Sequence, residues 1–310
     1  DRSPTATASP SPTASPPPAV TPAEAARVVA ADLAADDVAR AAGDERLGLM
    51  LSRDGQTPIT IARFRSTDMR PPRYEYGTPT VLVPRNRNFP HWFAATVERR
   101  GEDGERALMV LVYLRVSEQA NWQRSFASLV TGGSGLPAVH LDAEGYATAL
   151  STRDESIAIS PHLMAPVHAT AAEEGTQGYA AGLIAPVPLT TDYATEIAAR
   201  QSDAKENCLH YDSIFAASTY PVFALRTEDG GALIMYSLTR TTTWTAKVEP
   251  CAQRIAVPDE ARWALGRPFA RKELRVQEIQ QYVSVAPPKT ARTPARVIGF
   301  EGAVTRATGG

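Results

Sequence analysis

Runs of apolar residues separated by glycine-containing turns define most of the predicted strands of this chain. Residues 91–99 and 105–116 are rich in β-branched, aromatic and other apolar residues, and they flank the sequence Gly-Glu-Asp-Gly at residues 101–104. Two such runs around a short glycine-containing turn predict a β-hairpin. Both faces of this hairpin are apolar, so we expect each face to be covered. The predicted cross-strand pairs are Val97 with Leu108, Ala95 with Val110, and Phe93 with Val112.

A helix and three further strands complete the predicted first half of the chain. Residues 21–24 (Thr-Pro-Ala-Glu) form a capping box with proline at the first helical position. They predict a helix that runs to about residue 42 and ends at Gly43. Short strands are predicted around Ile59, Ile61 and Phe64, over residues 81–83, and over residues 122–130 before a turn at residues 131–135.

The second half repeats this order of elements. Ser160 and Pro161 predict the start of a helix that Pro166 disturbs and Gly175 ends. A second helix is predicted over residues 192–205, with Glu196 and Arg200 as a favourable i,i+4 pair. The sequence Glu-Asp-Gly-Gly at residues 228–231 predicts a hairpin turn. The predicted strands are residues 208–217, 220–227, 232–244, 274–285 and 295–305.

The N-terminal residues 1–21 differ in composition from the rest of the chain. They are almost entirely proline, serine, threonine and alanine, and they contain no aromatic residue. Such a segment cannot bury enough apolar surface to offset its ordering entropy, so we expect a disordered stalk. The remainder predicts an α+β protein of two tandem domains, residues 22–155 and 156–310. In each domain a helical N-terminal part would pack on a curved antiparallel meander sheet.

Composition and charge exclude several classes of function. The chain has 32 Lys and Arg against 34 Asp and Glu, so it has no sequence-independent attraction to nucleic acid. No apolar run approaches the ~20 residues that a membrane helix needs. The chain starts at Asp1 rather than methionine, and the stalk is of a kind that spaces a domain from a membrane or wall. We therefore expect a mature extracytoplasmic product, with membrane contact only through an anchor, such as a lipid-modified cysteine, that precedes residue 1.

No established catalytic or metal-binding motif occurs in the sequence, which lacks HExxH, a P-loop, CxxC and GxSxG. The glycines of residues 133–135 resemble a dinucleotide-binding pattern, but Pro137 follows where a helix would have to begin. His162 and His168 lie six positions apart, so one helix face does not present both as i,i+4 ligands. We predict no catalytic residue, no metal site and no cofactor.

Several weaker candidates have both a functional and a structural interpretation. His210 and Asp212 share one face of a predicted strand and could orient each other, although an ordinary surface pair explains them equally. Asp142 and Glu144 fit a turn better than a calcium loop, because the other EF-hand ligands are missing. An aromatic set could be either core or pocket lining, and a basic set is interpreted as a solvated loop. The aromatic residues are Trp92, Trp122, Trp244, Trp263, Tyr113, Tyr220 and Tyr236, and the basic residues are Arg63, Arg65, Arg70 and Arg73.

Cys208 and Cys251 are the only cysteines, and the sequence predicts a disulfide between them. The stalk indicates an oxidising compartment, in which disulfides form and persist. A two-residue turn at Asp229 and Gly230 places the two cysteines equally far from the turn, at the same end of the hairpin. Perfect pairing over that length is not expected, because Pro221 cannot donate to the ladder. The alternative is two buried free thiols.

The order of a helix followed by a long meander resembles the cone-shaped nuclear transport factor 2-like fold. The chain also resembles an uncharacterised family of secreted actinobacterial lipoproteins over most of its length after residue 21. The resemblance rests on the stalk and on residues 21–25, 141–147, 227–233 and 263–269. These motifs are structural, so the resemblance implies a fold and a location without catalytic residues.

Together these features favour a non-catalytic extracytoplasmic module that is tethered to the cell surface and binds an unknown protein partner or small-molecule ligand. The alternative is a hydrolase or isomerase that uses a conical pocket in the second domain, which rests on analogy of fold. That alternative requires a buried carboxylate or histidine with a perturbed pKa facing a cavity. A purely structural accessory domain is a third interpretation.

Overall fold

The computed structural model describes residues 18–131, 133–247 and 254–310, and its fold is α+β, as predicted. The helices are α1 (Pro22–Ala42), α2 (Glu45–Met50), α3 (Gln56–Arg65), α4 (Pro161–Glu174), α5 (Asp192–Glu206) and α6 (Asp259–Leu265). The strands are β1 (Glu75–Tyr76), β2 (Thr80–Leu82), β3 (His91–Arg100), β4 (Arg106–Arg115), β5 (Gln123–Val130), β6 (Leu209–Ala217), β7 (Phe223–Arg226), β8 (Ala232–Ala246), β9 (Ile255–Ala256), β10 (Phe269–Ala270), β11 (Glu273–Ala286) and β12 (Arg296–Gly309). The predicted stalk falls almost entirely outside the described residues.

Helix α1 begins and ends as the sequence predicts. The Thr21 hydroxyl accepts a hydrogen bond from the Glu24 amide at 3.2 Å, and the Glu24 carboxylate accepts from the Thr21 amide at 2.8 Å. This reciprocal pair satisfies two amides that a helix start leaves without partners. Gly43 ends the helix at φ +65°, where an added Cβ would lie 2.6 Å from the Met69 carbonyl oxygen. Only glycine meets both demands.

One antiparallel sheet of ten strands joins the two halves of the chain. Its order is β1, β3, β4, β5, β12, β11, β8, β6, with β2 also on β3 and β7 also on β8. The halves meet where β5 pairs with β12 through Val130 with Gly299 and Leu129 with Phe300. A side chain at Gly299 would place its Cβ 2.9 Å from the Leu129 carbonyl, so close pairing requires glycine there.

The sheet bends so that the inner faces of the two halves pack on each other. Apolar residues of β3 and β4 meet those of β7, β8 and β11, and the rings of Trp92 and Phe223 lie 5.0 Å apart. Helix α1 covers the outer face of the first half, while α4 and α5 cover that of the second. Both faces of the β3–β4 hairpin are therefore covered, as the sequence predicts. The division into domains at residues 22–155 and 156–310 stays a prediction.

The predicted register of the β3–β4 hairpin is wrong by one residue. Phe93 lies opposite Tyr113, Ala95 opposite Leu111 and Val97 opposite Met109. The reason is a longer turn: the Gly101 amide still donates to the Glu105 carbonyl, and Gly104 takes φ +82°. A one-residue slip exchanges the side chains that share a face. The face beneath α1 therefore holds the odd-numbered residues of both strands.

A second prediction, the strand around Ile59, Ile61 and Phe64, is also wrong, because these residues form α3. β-branched residues favour strands, but tertiary packing overrides that preference. Ile59 and Phe64 are fully buried in the helix.

The register of β7 with β8 also differs by one residue from that of the predicted two-residue turn. Arg226 lies opposite Ala232, and the Thr227 amide donates to the Gly231 carbonyl at 3.1 Å. Within the described residues, no helix combines the length and apolar character required to cross a membrane.

Candidate functional site

A cleft of about 440 Å³ opens in the second half, between α5 and α6 and over strands β6, β8 and β11. It contains both guanidinium and carboxyl groups next to aromatic rings. The charged residues that line it are Glu196, Arg200, Arg240, Glu260 and Glu278, and its other polar and aromatic residues are Tyr211, Thr242 and Trp244. The combination of aromatic side chains with a few convergent polar groups is typical of a small-molecule site.

Strand alternation places the central charges in this cleft. Arg240, Thr242 and Trp244 occupy alternate positions of β8, so their side chains share the face that α4 and α5 cover. Glu278 lies directly opposite Arg240 in the pairing of β8 with β11. Opposite residues of an antiparallel pair have Cβ atoms about 5 Å apart, and opposite charges there normally attract. Arg240 and Glu278 nevertheless form no direct ion pair.

Arg240 is held by residues other than Glu278. Its side chain is 10% exposed, and its Nη2 contacts Glu196 Oε1 at 3.1 Å. Its Nε donates to Ser213 Oγ at 2.8 Å, and the rings of Tyr193 and Phe215 lie 5.3 and 5.1 Å from the guanidinium carbon. Nη1 makes no hydrogen bond to any residue in the described ranges. This nitrogen is therefore a fixed donor that a bound molecule can use.

Glu278 is held in the same way by its own strand. Its Oε2 accepts a hydrogen bond from Gln280 Nε2 at 3.0 Å, and Gln280 Oε1 in turn accepts one from the Tyr282 hydroxyl at 3.0 Å. Burial raises the pKa of the Glu278 carboxyl above its usual value, although the charge of Arg240 opposes this. The cleft thus sets a carboxyl group that readily accepts a proton beside a guanidinium with an unused donor.

The predicted histidine candidates do not assemble a site. His210 is exposed, while Asp212 Oδ1 accepts a hydrogen bond from the adjacent Ser213 amide at 3.0 Å. No hydrogen bond joins His210 to Asp212 in the part of the chain that the structure describes. His162 Nδ1 lies 2.7 Å from the Thr152 carbonyl oxygen, far from a shared ligand position with the buried His168. Across the described ranges no group of three or more His, Cys, Asp or Glu side chains is placed to hold a metal ion.

His168 instead forms part of the core beneath the sheet. Its Nε2 lies 2.6 Å from the Leu189 carbonyl oxygen, and its Nδ1 lies 2.8 Å from the Tyr236 hydroxyl. A carbonyl only accepts, so Nε2 carries the proton and Nδ1 accepts from Tyr236. The Tyr236 hydroxyl also contacts Ser284 Oγ at 2.9 Å. These bonds satisfy a neutral imidazole and keep it away from the cleft.

The other weak candidates lie in turns, ion pairs and core. Asp142 Oδ1 accepts from the amides of Glu144 and Tyr146 at 3.0 and 2.9 Å, which is the geometry of a turn. Of the predicted basic set, Arg65 pairs with Glu45 and Arg73 with Asp37, and Arg63 pairs with Glu301. Of the aromatic set, Tyr220 lines a second cleft on the opposite side of the sheet, and Trp244 lines the one described above.

Cys208 lies at the start of β6, whereas Cys251 falls outside the described residues, so the disulfide stays a prediction. The Cys208 carbonyl accepts a hydrogen bond from the Lys247 amide at 3.0 Å. Residue 247 therefore runs beside Cys208, and only three residues separate it from Cys251 in the sequence. The hairpin returns the chain to Cys208 as the prediction requires, although in a register that differs from a two-residue turn.

Thiol titration tests this pairing. We expect the denatured protein to show no reactive thiol before reduction and two per chain afterwards, because Cys208 and Cys251 are the only cysteines. A Cys208→Ser variant is the control and should expose one thiol without reduction. Two reactive thiols in the unreduced parent chain would contradict the disulfide and weaken the case for an oxidising compartment.

The chain is similar to bacterial lipoproteins. The model of a family described as "Domain of unknown function (DUF8094)" matches residues 16–309. An uncharacterized lipoprotein of Streptomyces coelicolor is 24% identical over 209 residues, which cover 66% of this chain and 61% of the relative. A second from the same organism is 27% identical over 246 residues, covering 76% and 65%, and one from Streptomyces avermitilis is 25% identical over 225 residues, covering 69% and 64%. No solved structure matches.

These similarities have two consequences. The lipoprotein relatives imply a membrane-anchored, extracytoplasmic surface location, which confirms the predicted localisation. The predicted resemblance to actinobacterial lipoproteins is confirmed as well. The chain spans less than two thirds of the length of these relatives.

Proposed function

The chain belongs to the DUF8094 family, and from this premise we propose that it is a non-catalytic extracytoplasmic binding module whose cleft in the second half takes up a small polar ligand. The observation that carries the proposal is the separation of Arg240 from Glu278. These residues lie opposite each other on neighbouring strands, yet Arg240 donates to Glu196 and Glu278 accepts from Gln280, and the two make no hydrogen bond to each other. A ligand that bridges them would complete hydrogen bonding that the protein leaves open.

The geometry indicates the chemistry of such a ligand. Arg240 Nη1 needs an acceptor, and the Glu278 carboxyl needs a donor when it is ionised. A hydroxy acid or an amino acid carries both groups on neighbouring atoms. Trp244 and Tyr211 supply apolar surface for the rest of the molecule, and their rings already pack edge to face at 5.3 Å. The rigid aromatic wall lowers the entropy cost of binding.

The alternative function is a hydrolase or isomerase, and one observation favours it. A carboxyl group with a raised pKa that lines a cleft is suited to general acid–base chemistry. Glu278 would then transfer the proton, and Arg240 would stabilise negative charge on the substrate.

We also propose that each half follows the nuclear transport factor 2-like plan. The support is that α1–α3 precede β3–β5, as α4 and α5 precede β8, β11 and β12.

A variant of Glu278 distinguishes binding from catalysis. Small hydroxy acids and amino acids are screened for a rise in melting temperature of the parent chain, and affinities are measured for Glu278→Gln. Loss of a charge-assisted hydrogen bond is expected to weaken binding about 10- to 100-fold. Glu273→Gln, on the opposite face of the same strand, is the control and should bind normally.

The same screen decides the alternative. Equal affinity of Glu278→Gln and the parent chain would contradict the proposed site. Turnover of a bound compound that Glu278→Gln abolishes while still binding it would contradict the non-catalytic function and support acid–base catalysis. Arg240→Lys adds an independent measurement, since lysine keeps the charge but lacks the planar fork that holds Nη1 in place.

A further inference from the structure

The opposite face of the same strands carries an open polar surface. Thr239, Thr241, Thr243 and Thr245 alternate along β8 with the residues that face α4 and α5, and all four are half-buried. Their hydroxyls make no hydrogen bonds to other residues that the structure describes. The first half of the chain packs on this face in the shared core and through α3, where Arg63 pairs with Glu301 and Pro58 borders the cleft beside Thr239. Farther along the strands, Arg275 and Arg306 are exposed.

Two arginines form a cup on this face. Arg275 lies opposite Thr308, and Gln277 lies opposite Arg306, so four polar side chains make a square across β11 and β12. They line a cup of about 230 Å³. Neither guanidinium forms an ion pair or side-chain hydrogen bond with any residue in the described part of the chain. Two like charges on neighbouring strands repel each other, and an anion between them relieves that repulsion.

The cup continues into a longer groove. Gln277 and Arg306 also border a cleft of about 400 Å³ whose far part is lined by Thr239, Ile279 and Tyr220. Arg275 and Ile279, at the two ends of this path, lie four positions apart on β11, which corresponds to roughly 14 Å along the strand. Tyr220 is positioned by Gly55, where an added Cβ would lie 3.0 Å from its ring. The groove thus has a cationic end and an aromatic end.

We propose that this groove binds an acidic polysaccharide, with a carboxylate or phosphate group in the Arg275–Arg306 cup and a sugar ring against Tyr220. Guanidinium groups bind both oxyanions through paired hydrogen bonds. The hydroxyl and amide groups of Thr308, Gln277 and Thr239 match the hydroxyls of a sugar chain. Two cations suit a polymer with one charge per sugar, whereas nucleic acid carries far denser charge. This site is independent of the cleft on the other face.

Binding to defined polymers tests the proposal. The purified chain is titrated with polygalacturonate, phosphorylated dextran, unmodified dextran and a single-stranded oligonucleotide. We expect it to bind one or both acidic polysaccharides and to bind dextran at least about 10-fold more weakly. The comparison of the two acidic polymers identifies whether the cup takes a carboxylate or a phosphate.

Two matched double variants keep the result specific. Arg275→Gln with Arg306→Gln should weaken binding at least about 10-fold, because charge-assisted hydrogen bonds are lost. Arg46→Gln with Arg70→Gln changes the net charge equally, at exposed positions in the first half, and should leave binding unchanged. Equal binding by both double variants, equal binding of dextran, or binding of the oligonucleotide alone would overturn the proposal. All replaced arginines are exposed, so melting temperatures should match that of the parent chain.

Discussion

Replacement of Arg124 by methionine is expected to lower the free energy of unfolding by about 3 to 5 kcal/mol, because it leaves the buried Asp32 without its cation and removes one of the two cations beside Asp36. Arg124 Nη2 lies 2.8 Å from Asp32 Oδ2 and 3.4 Å from Asp36 Oδ1. The Arg124 side chain is 5% exposed, and those of the carboxylates are 8% and 7% exposed. The Tyr113 hydroxyl also donates to Asp32 at 2.8 Å, so the group links α1 to β4 and β5.

The two carboxylates depend on Arg124 to different degrees. Burial raises the pKa of Asp32 despite the neighbouring guanidinium. Burial acts on Asp36 in the same direction, but Arg124 and Arg40 together hold its pKa below the usual value. Arg40 still contacts Asp36 at 2.6 Å when Arg124 is removed. Most of the loss should therefore arise at Asp32.

Denaturant unfolding with two controls measures the effect. Arg73→Gln removes an exposed partner of Asp37 and should cost about 1 kcal/mol or less. Arg124→Met combined with Asp32→Asn removes the carboxylate that is left without a cation and should recover much of the loss, while Asp36 keeps its partner Arg40. Arg124→Met as stable as the parent chain would show that these charges do not depend on one another.

Acidification should destabilise the protein through His168. Burial lowers the pKa of this imidazole from 6.5 to about 4 in the folded state. The unfolded chain therefore binds a proton at a higher pH than the folded chain does. Between pH 6.5 and pH 4 the unfolded state gains protons first, so the free energy of unfolding falls as pH falls. The shift corresponds to about 3 kcal/mol, which is fully available only above pH 6.5.

Unfolding curves at several pH values isolate this contribution. His168→Gln preserves a donor for the Leu189 carbonyl but does not titrate. Between pH 7 and pH 4, its free energy of unfolding should therefore fall by about 3 kcal/mol less than that of the parent chain. His162→Asn removes an exposed histidine and should keep the parent slope. Identical pH dependence in the parent chain and His168→Gln would show that the imidazole is not buried as a neutral group.

Local signals predicted elements well, and turn geometry limited the prediction of register. The capping box predicted the start of α1 and Gly43 predicted its end, because each cap depends on a few neighbouring residues. The sequence predicted the β3–β4 hairpin, but the turn between its strands holds five residues, 101–105, where the prediction had four. A single residue at the turn changes every cross-strand pair, so register needs the turn conformation as well as the apolar pattern.

Prediction of the sites requires more knowledge of contacts between distant residues than prediction of the helices and strands does. Polar residues at inward positions of β11, namely Glu278 and Gln280, are a signal in the sequence, since the same face holds Leu274 and Val276. These polar residues on the otherwise apolar face of β11 mark the strand as unusual. They do not reveal that Arg240 of β8 lies opposite Glu278. The contact of Arg124 with Asp32 joins residues 92 positions apart. Such pairs follow from sheet topology, which alternation of residues does not specify.

The position of β12 has a consequence for how the chain reaches its final state after export. Of the strands described above, β12 comes last along the chain, yet it lies between β5 and β11 in the middle of the sheet. Until residues 296–309 emerge, both neighbours retain an unpaired hydrogen-bonding edge, which is a template for misassociation. A chain that crosses a membrane from its N-terminus must therefore keep two incomplete sheets apart from other chains. Delivery of β12 pairs it with β11 along its length and with Leu129 and Val130 of β5 in one step.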